Sequence, residues 1–265
     1  MNVFRFEFKQ LFRSTLSWSF ALALTVIIFM SFYPVYYEQI AIMKPLFDNL
    51  PELLLKSLGV NVDTLFTGLG FYSFILMYVQ LIAAMQGMML GLGVVGKEVR
   101  LKMNDFILTK PLTRSSILIQ KSLAIFVHIL ITWTLLSILS TVMLLTVETG
   151  ELNVQVFLLF IVSTLLLQVM FASIGILTAV LLRKLKSVVG VSMSVVFTLF
   201  VMNLMQAILD EPWLRYFSPF QWFEKAYIFY NSSYEWPMFG MWALISIGSC
   251  VGAYVVYTRK DIHAV

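Results

Sequence analysis

The sequence predicts an all-α protein that crosses a lipid bilayer six times. Three observations predict it. Of the 265 residues, 60% are apolar and only 12% charged. Six apolar stretches are each long enough to span. Lys and Arg gather on one side of the topology that results. A soluble domain carries roughly 25% charged residues, and half that supply cannot clothe a water-facing surface. A mean hydropathy of +0.89 agrees. Helices are expected because an apolar segment in lipid must satisfy its own backbone hydrogen bonds, and the alternation of barrel strands is missing.

Residues 1–16 read as an interfacial elbow helix. Arg5, Lys9 and Arg13 recur every four residues and share one face, while Phe4, Phe8, Leu11 and Phe12 fall on a neighbouring one. The start is charged throughout and no small-residue cleavage site closes the apolar run after it, so that run reads as a retained span and not a signal peptide. About 20 apolar residues cross the hydrocarbon core. The spans fall at 17–37, 71–96, 122–147, 154–182, 187–209 and 237–257. Segments 38–70 and 210–236 are then extracellular. The first is broken by Pro45 and Pro51, and Phe47, Leu53, Leu54, Leu55 and Leu58 suit a membrane surface. The second is crowded with aromatics from Trp213 to Trp236, residues that favour the headgroup region, and is expected to dip into the interface or lower as short helices.

Orientation follows from the cations. With the N-terminus in the cytoplasm, the inner segments hold Arg5, Lys9, Arg13, Lys97, Arg100, Lys102, Lys110, Arg114, Lys121, Arg183, Lys184, Lys186, Arg259 and Lys260. The outer segments hold Lys44, Lys56, Arg215 and Lys225. An even number of spans returns the C-terminus to the same side.

Several chemistries are disfavoured. A single cysteine, Cys250, allows no intrachain disulfide, and two histidines, His128 and His263, give no metal-ligand spacing. The basic residues are scattered over short loops, which argues against nucleic acid. Gly91 to Lys97 approaches a phosphate-binding loop, but Glu98 stands where Ser or Thr must meet Mg²⁺ and no strand precedes it. Its glycines, with Gly87, suit close helix packing instead. No cofactor is expected on this chain. Uncharged polar residues within the spans are more suggestive. Gln80, Gln86 and Gln168, with Asn203 and Gln206 three apart on one face, read either as glue between helices or as the lining of a pathway.

Residues 97–121 read KEVRLKMNDFILTKPLTRSSILIQK. Lys97 to Leu108 suits a short helix with an apolar stripe of Val99, Met103, Phe106 and Ile107. Lys110-Pro111 breaks it, and Thr113 is placed to cap the next helix. Taken alone, this is an ordinary amphipathic connector. In the order of the whole chain, however, it resembles the permease subunit of an ABC-2 type ATP-binding-cassette exporter. That family has an elbow helix, six spans and a loop between spans two and three carrying a Glu, a leucine-rich helix and a Pro-x-Ser/Thr-Arg turn. Here these read Glu98, Phe106-Ile107-Leu108 and Pro111-Leu112-Thr113-Arg114. A Ser-Pro-Phe element before the last span matches Ser218-Pro219-Phe220, followed by Trp222 and Phe223. One departure is Lys102-Met103-Asn104, where a glycine-threonine pair is common.

The resemblance implies one transmembrane domain over 1–265 in a cell membrane, and the small soluble portion suggests a bacterial one. It implies two separate cytoplasmic ATPase subunits that carry ATP and Mg, and a second permease copy or paralogue. Glu98, Arg100, Lys102, Met103, Phe106 and Arg114 would then couple the helix to the ATPase. Apolar and aromatic lining suits an amphipathic peptide or another hydrophobic compound. A membrane scaffold or sensor, or an integral membrane enzyme acting on lipids, is the alternative; the enzyme would need convergent acids, histidines or a metal site near one interface.

Overall fold

A computed structural model describes residues 3–57, 62–101, 113–147, 152–182, 184–209 and 211–259. No strand occurs among the described residues. The chain runs α1 (Val3–Glu38), α2 (Ile40–Asp48), α3 (Glu52–Ser57), α4 (Val62–Leu65), α5 (Gly68–Leu101), α6 (Arg114–Val147), α7 (Val154–Leu181), α8 (Val188–Leu209), α9 (Pro212–Phe217), α10 (Lys225–Asn231) and α11 (Trp236–Arg259). Six of these, α1, α5, α6, α7, α8 and α11, are long and apolar enough to cross a membrane.

The elbow expected over 1–16 is not a separate helix. From Val3 it continues without a break into the first span, giving one helix of 36 residues. Its length is about 54 Å, well beyond a hydrocarbon core of about 30 Å. Nothing between Ser14 and Ser17 interrupts the backbone pattern, and tertiary contact holds the extension, since Glu7 and Thr15 are buried. The third span likewise starts at Arg114, eight residues before the expected 122, because Thr113 caps it there: its hydroxyl accepts from the Ser116 N–H at 3.3 Å. Residues 97–101, expected to open the cytoplasmic helix, are the last turn of α5. Residues 102–112 lie outside the described residues.

The core sits between α5 and α7. Glycines set that contact. A Cβ on Gly87 would stand 2.4 Å from the Gln168 carbonyl oxygen, one on Gly91 2.1 Å from that of Ala172, and one on Gly175 2.6 Å from that of Met88. No side chain separates the two backbones along this seam, so van der Waals contact and amide bonds act at close range. The glycines that mimic a phosphate loop are thus helical packing residues. Neighbouring elements dock on α7 by donating to its carbonyls: Trp133 of α6 to Ile161 at 2.9 Å, Trp242 of α11 to Leu166 at 2.8 Å, and Tyr234, just before α11, to Leu159 at 2.6 Å.

The two segments expected to be extracellular divide unexpectedly. Leu55 of α3 is buried while Leu53 and Leu54 are exposed, and α3 lies against α8. Tyr36, Phe47, Phe66 and Phe71 form a ring cluster at the C-terminal end of α1. In the second segment the aromatics split into two populations. Trp213, Tyr216, Phe217, Tyr230 and Trp236 are exposed, as headgroup residues would be. Phe220, Trp222 and Phe223 are fully buried. Phe220 meets Phe171 of α7 and Phe200 of α8 at ring distances of 5.6 and 5.5 Å. Phe200 lies nine residues, about 13 Å, inside the end of α8, so the Ser218–Phe223 turn is packed well inside the end of the helix bundle. Arg215 ties its neck, donating to Glu224 at 2.9 Å and to Glu235, while the Trp222 indole donates to the Arg215 carbonyl at 3.1 Å.

Candidate functional site

The polar residues of the spans do not act singly. On α5 and α7, Gln168 Nε2 donates to Gln86 Oε1 at 2.9 Å, and Gln80 Nε2 donates to Ser163 Oγ at 2.9 Å. Gln86 Nε2 continues to Thr132 Oγ1 of α6 at 2.8 Å, and Thr132 donates to the His128 carbonyl at 3.1 Å. His128 then reaches α1. Its Nε2 lies 3.0 Å from the Phe8 carbonyl and its Nδ1 2.7 Å from the Thr15 hydroxyl. A carbonyl only accepts, so Nε2 carries the proton of the neutral ring and Thr15 donates to Nδ1. Gln168, Gln86, Thr132, His128 and Thr15 form one buried seam through four helices, from α7 to α1. In hydrocarbon each such group is costly unless paired, which gives the seam its directionality and the helices their register.

Below the seam, on the side of the chain termini, a second set of contacts joins the same helices. Lys97 of α5 donates to Glu7 Oε2 of α1 at 2.6 Å and to Gln10 Oε1 at 2.9 Å. Glu7 is 4% exposed. Lys121 of α6, equally buried, donates to the Val94 carbonyl of α5 at 3.3 Å. The cations sit near the C-terminal end of α5, where the helix dipole favours them. Together, α1, α5 and α6 are bolted to one another at the very ends from which residues 102–112 depart.

Of the residues expected to line a pathway, Gln80, Gln86 and Gln168 are therefore gathered into bonds between helices of one chain. Asn203 and Gln206 stand apart on α8; Asn203 is buried and Gln206 half-buried. Of those expected to meet an ATPase, Arg114 is the first residue of α6. The side chains of Glu98 and Arg100, and Lys102, Met103 and Phe106 entirely, lie outside the described residues. Thr15, Ser163, Thr132, Glu7 and Lys121 escaped the sequence reading. A signal existed: Thr15 with Ser19, and His128 with Thr132, are small polar pairs at i, i+4 on two apolar spans, a spacing that puts matching polar faces on both helices.

Residues 1–262 match the family described as ABC-2 family transporter protein. The chain belongs to that family. No curated protein matches it. Membership makes this a multi-pass membrane subunit of a transporter that works with an ABC ATPase, and the six apolar helices fit that role. The clamp joining α1, α5 and α6 stands next in the chain to residues 102–112.

Proposed function

We propose that this ABC-2 protein is the permease of an exporter whose ATPase grips the 97–114 segment. The observation that carries the reading is the clamp. Lys97–Glu7 and His128–Phe8 tie the helices at both ends of that segment to α1, and Lys121–Val94 ties those two helices to each other, so a displacement of the loop moves three spans together. ATP and Mg would sit on two separate ATPase subunits on the cytoplasmic side, where the basic loops place both chain termini, in a plasma membrane of bacterial type. Glu98, Arg100, Lys102, Met103, Phe106 and Arg114 are the proposed contacts.

A second permease copy, or a related chain, would complete the pathway. Among the amide residues, Asn203 and Gln206 on α8 are the proposed lining, and the Gln80–Gln86–Gln168 group positions α5 and α7 behind it. The exposed side of α8 carries Met193, Phe197, Val201 and Met205, an adaptable apolar surface that supports an amphipathic peptide or another hydrophobic compound as cargo.

The test is reconstitution of the chain with its candidate ATPase and a fluorescent amphipathic peptide. Phe106→Ala or Glu98→Ala should leave complex formation intact and drop peptide transport at least tenfold while ATP hydrolysis persists. Wild-type transport by both variants would overturn the coupling assignment. Absence of any ATPase from the purified complex would overturn the exporter reading itself.

A further inference from the structure

The outward face of α1 changes character along its length. Residues 7, 8, 11, 15, 19 and 22 turn toward α5 and α6. Arg5, Lys9 and Arg13 lie on the opposite side, exposed, at intervals of about 6 Å. Beyond Arg13 the same face continues as Leu16, Phe20, Leu24 and Ile27, all exposed and wholly apolar. From Leu16 to Tyr37 the helix rises about 32 Å, a hydrocarbon thickness. The switch from cation to hydrocarbon side chains therefore marks the membrane boundary between Arg13 and Leu16, on a face that no other described helix of the chain covers.

This placement puts Arg13 and Lys9 at headgroup depth, and Arg5 within a Debye length of it once its long side chain bends toward the bilayer. None of the three forms an ion pair among the described residues. The nearest described acid on the same helix, Glu7, faces inward and is held by Lys97. Phe6 and Phe12 flank the stripe on either side and are 50% and 43% exposed, as rings placed at an interface would be. A basic face that only met water would have no reason to carry them.

We propose that the Arg5–Lys9–Arg13 face of α1 binds anionic phospholipid headgroups. The inference depends on the six-span fold and not on the exporter reading. Its consequence is mechanical. The same turns of α1 present Glu7 and Phe8 to Lys97 and His128, so lipid held on one side of the helix braces the clamp on the other.

The test uses the full-length chain in mixed detergent micelles, titrated with phosphatidylglycerol or phosphatidylcholine and read by native mass spectrometry. Wild type should retain phosphatidylglycerol in preference to phosphatidylcholine. Each cation removed should weaken that lipid roughly fivefold, and R5Q/K9Q/R13Q on the order of a hundredfold. R5K/R13K keeps the charge and should bind within a few-fold of wild type. K184Q/K186Q removes exposed cations of another loop and should bind as wild type does. If the triple variant fails to insert, the fivefold loss in K9Q alone decides. Equal retention of both lipids by wild type, undiminished retention by R5Q/K9Q/R13Q or K9Q, or an equal loss in K184Q/K186Q overturns the proposal. So does a triple variant that loses its ATPase but not its lipid, because the face would then serve a protein.

Discussion

Gly91→Ala is the sharpest probe of the α5–α7 core. The added Cβ would stand 2.1 Å from the Ala172 carbonyl oxygen and 2.9 Å from the Ile176 nitrogen, against ordinary contact from 3.4 Å. Both obstacles are backbone, so no rotamer change relieves them, and the helices must part by about 1 Å. Overpacking of this kind costs about 1–3 kcal/mol, or an apparent melting point lower by roughly 3–10 °C for a chain of this size. The strain also reaches the Gln168–Gln86 bond one turn away, whose 2.9 Å length leaves little slack. Gly175→Ala strains the same contact, its Cβ falling 3.2 Å from the Gly91 Cα. The double variant should therefore lose less than the sum of the singles, because helices already separated have room for the second methyl. Gly240→Ala and Gly248→Ala are the controls: nothing lies within 4 Å of either Cβ, and relief of glycine's backbone entropy gives no change or a gain of about 0.5–1 kcal/mol. The assay is thermal unfolding of the purified protein in detergent, followed by tryptophan fluorescence and by monodispersity. If Gly91→Ala melts with the controls, the close-packed seam is not where the structure puts it.

Three further outcomes are expected. Gln86→Leu removes an acceptor from Gln168 and a donor from Thr132 and should destabilise by about 1–2 kcal/mol; Gln86→Leu with Gln168→Leu should recover part of that loss, and a purely additive loss in the same melting assay would contradict the pairing. Lys97→Met leaves the buried Glu7 carboxylate without its cation and should cost about 3 kcal/mol, whereas Lys97→Met with Glu7→Gln should be milder; equal melting of the single and double variants would show that the pair does not clamp α1. At the start of α10, burial lowers the Lys225 ammonium from 10.5 to about 8, and Glu224 offsets only part of the effect. Labelling by a membrane-impermeant amine reagent should thus rise through a midpoint near pH 8 at Lys225, with peptide mapping as the readout; a midpoint at the ordinary 10.5 would show that Lys225 is fully solvated.

The sequence by itself determined the fold class and the number of spans. An apolar run too long for any soluble surface has one stable outcome in lipid, and the ends of α7, α8 and α11 fall within two residues of those read from hydropathy. It also marked the Thr113 cap, since capping depends on residues adjacent in the chain. It misplaced what depends on distant neighbours. Residues 3–16 have the pattern of a surface helix, yet burial of Glu7 and Thr15 against α5 and α6 keeps them in line with the first span. The aromatics of 210–236 share one composition, but only packing against Phe171 and Phe200 decides that Phe220 enters the core while Trp213 stays out. Gln80, Gln86 and Gln168 were visible as polar groups in a greasy setting. Which group a buried amide meets is decided by which helix stands opposite, and hydrogen-bond partners more than 80 residues apart leave no trace in local pattern. Local chemistry fixes where a helix begins and that it must be a helix; the matching of polar faces across helices, set by close approach at glycine, fixes which partner each buried polar group meets.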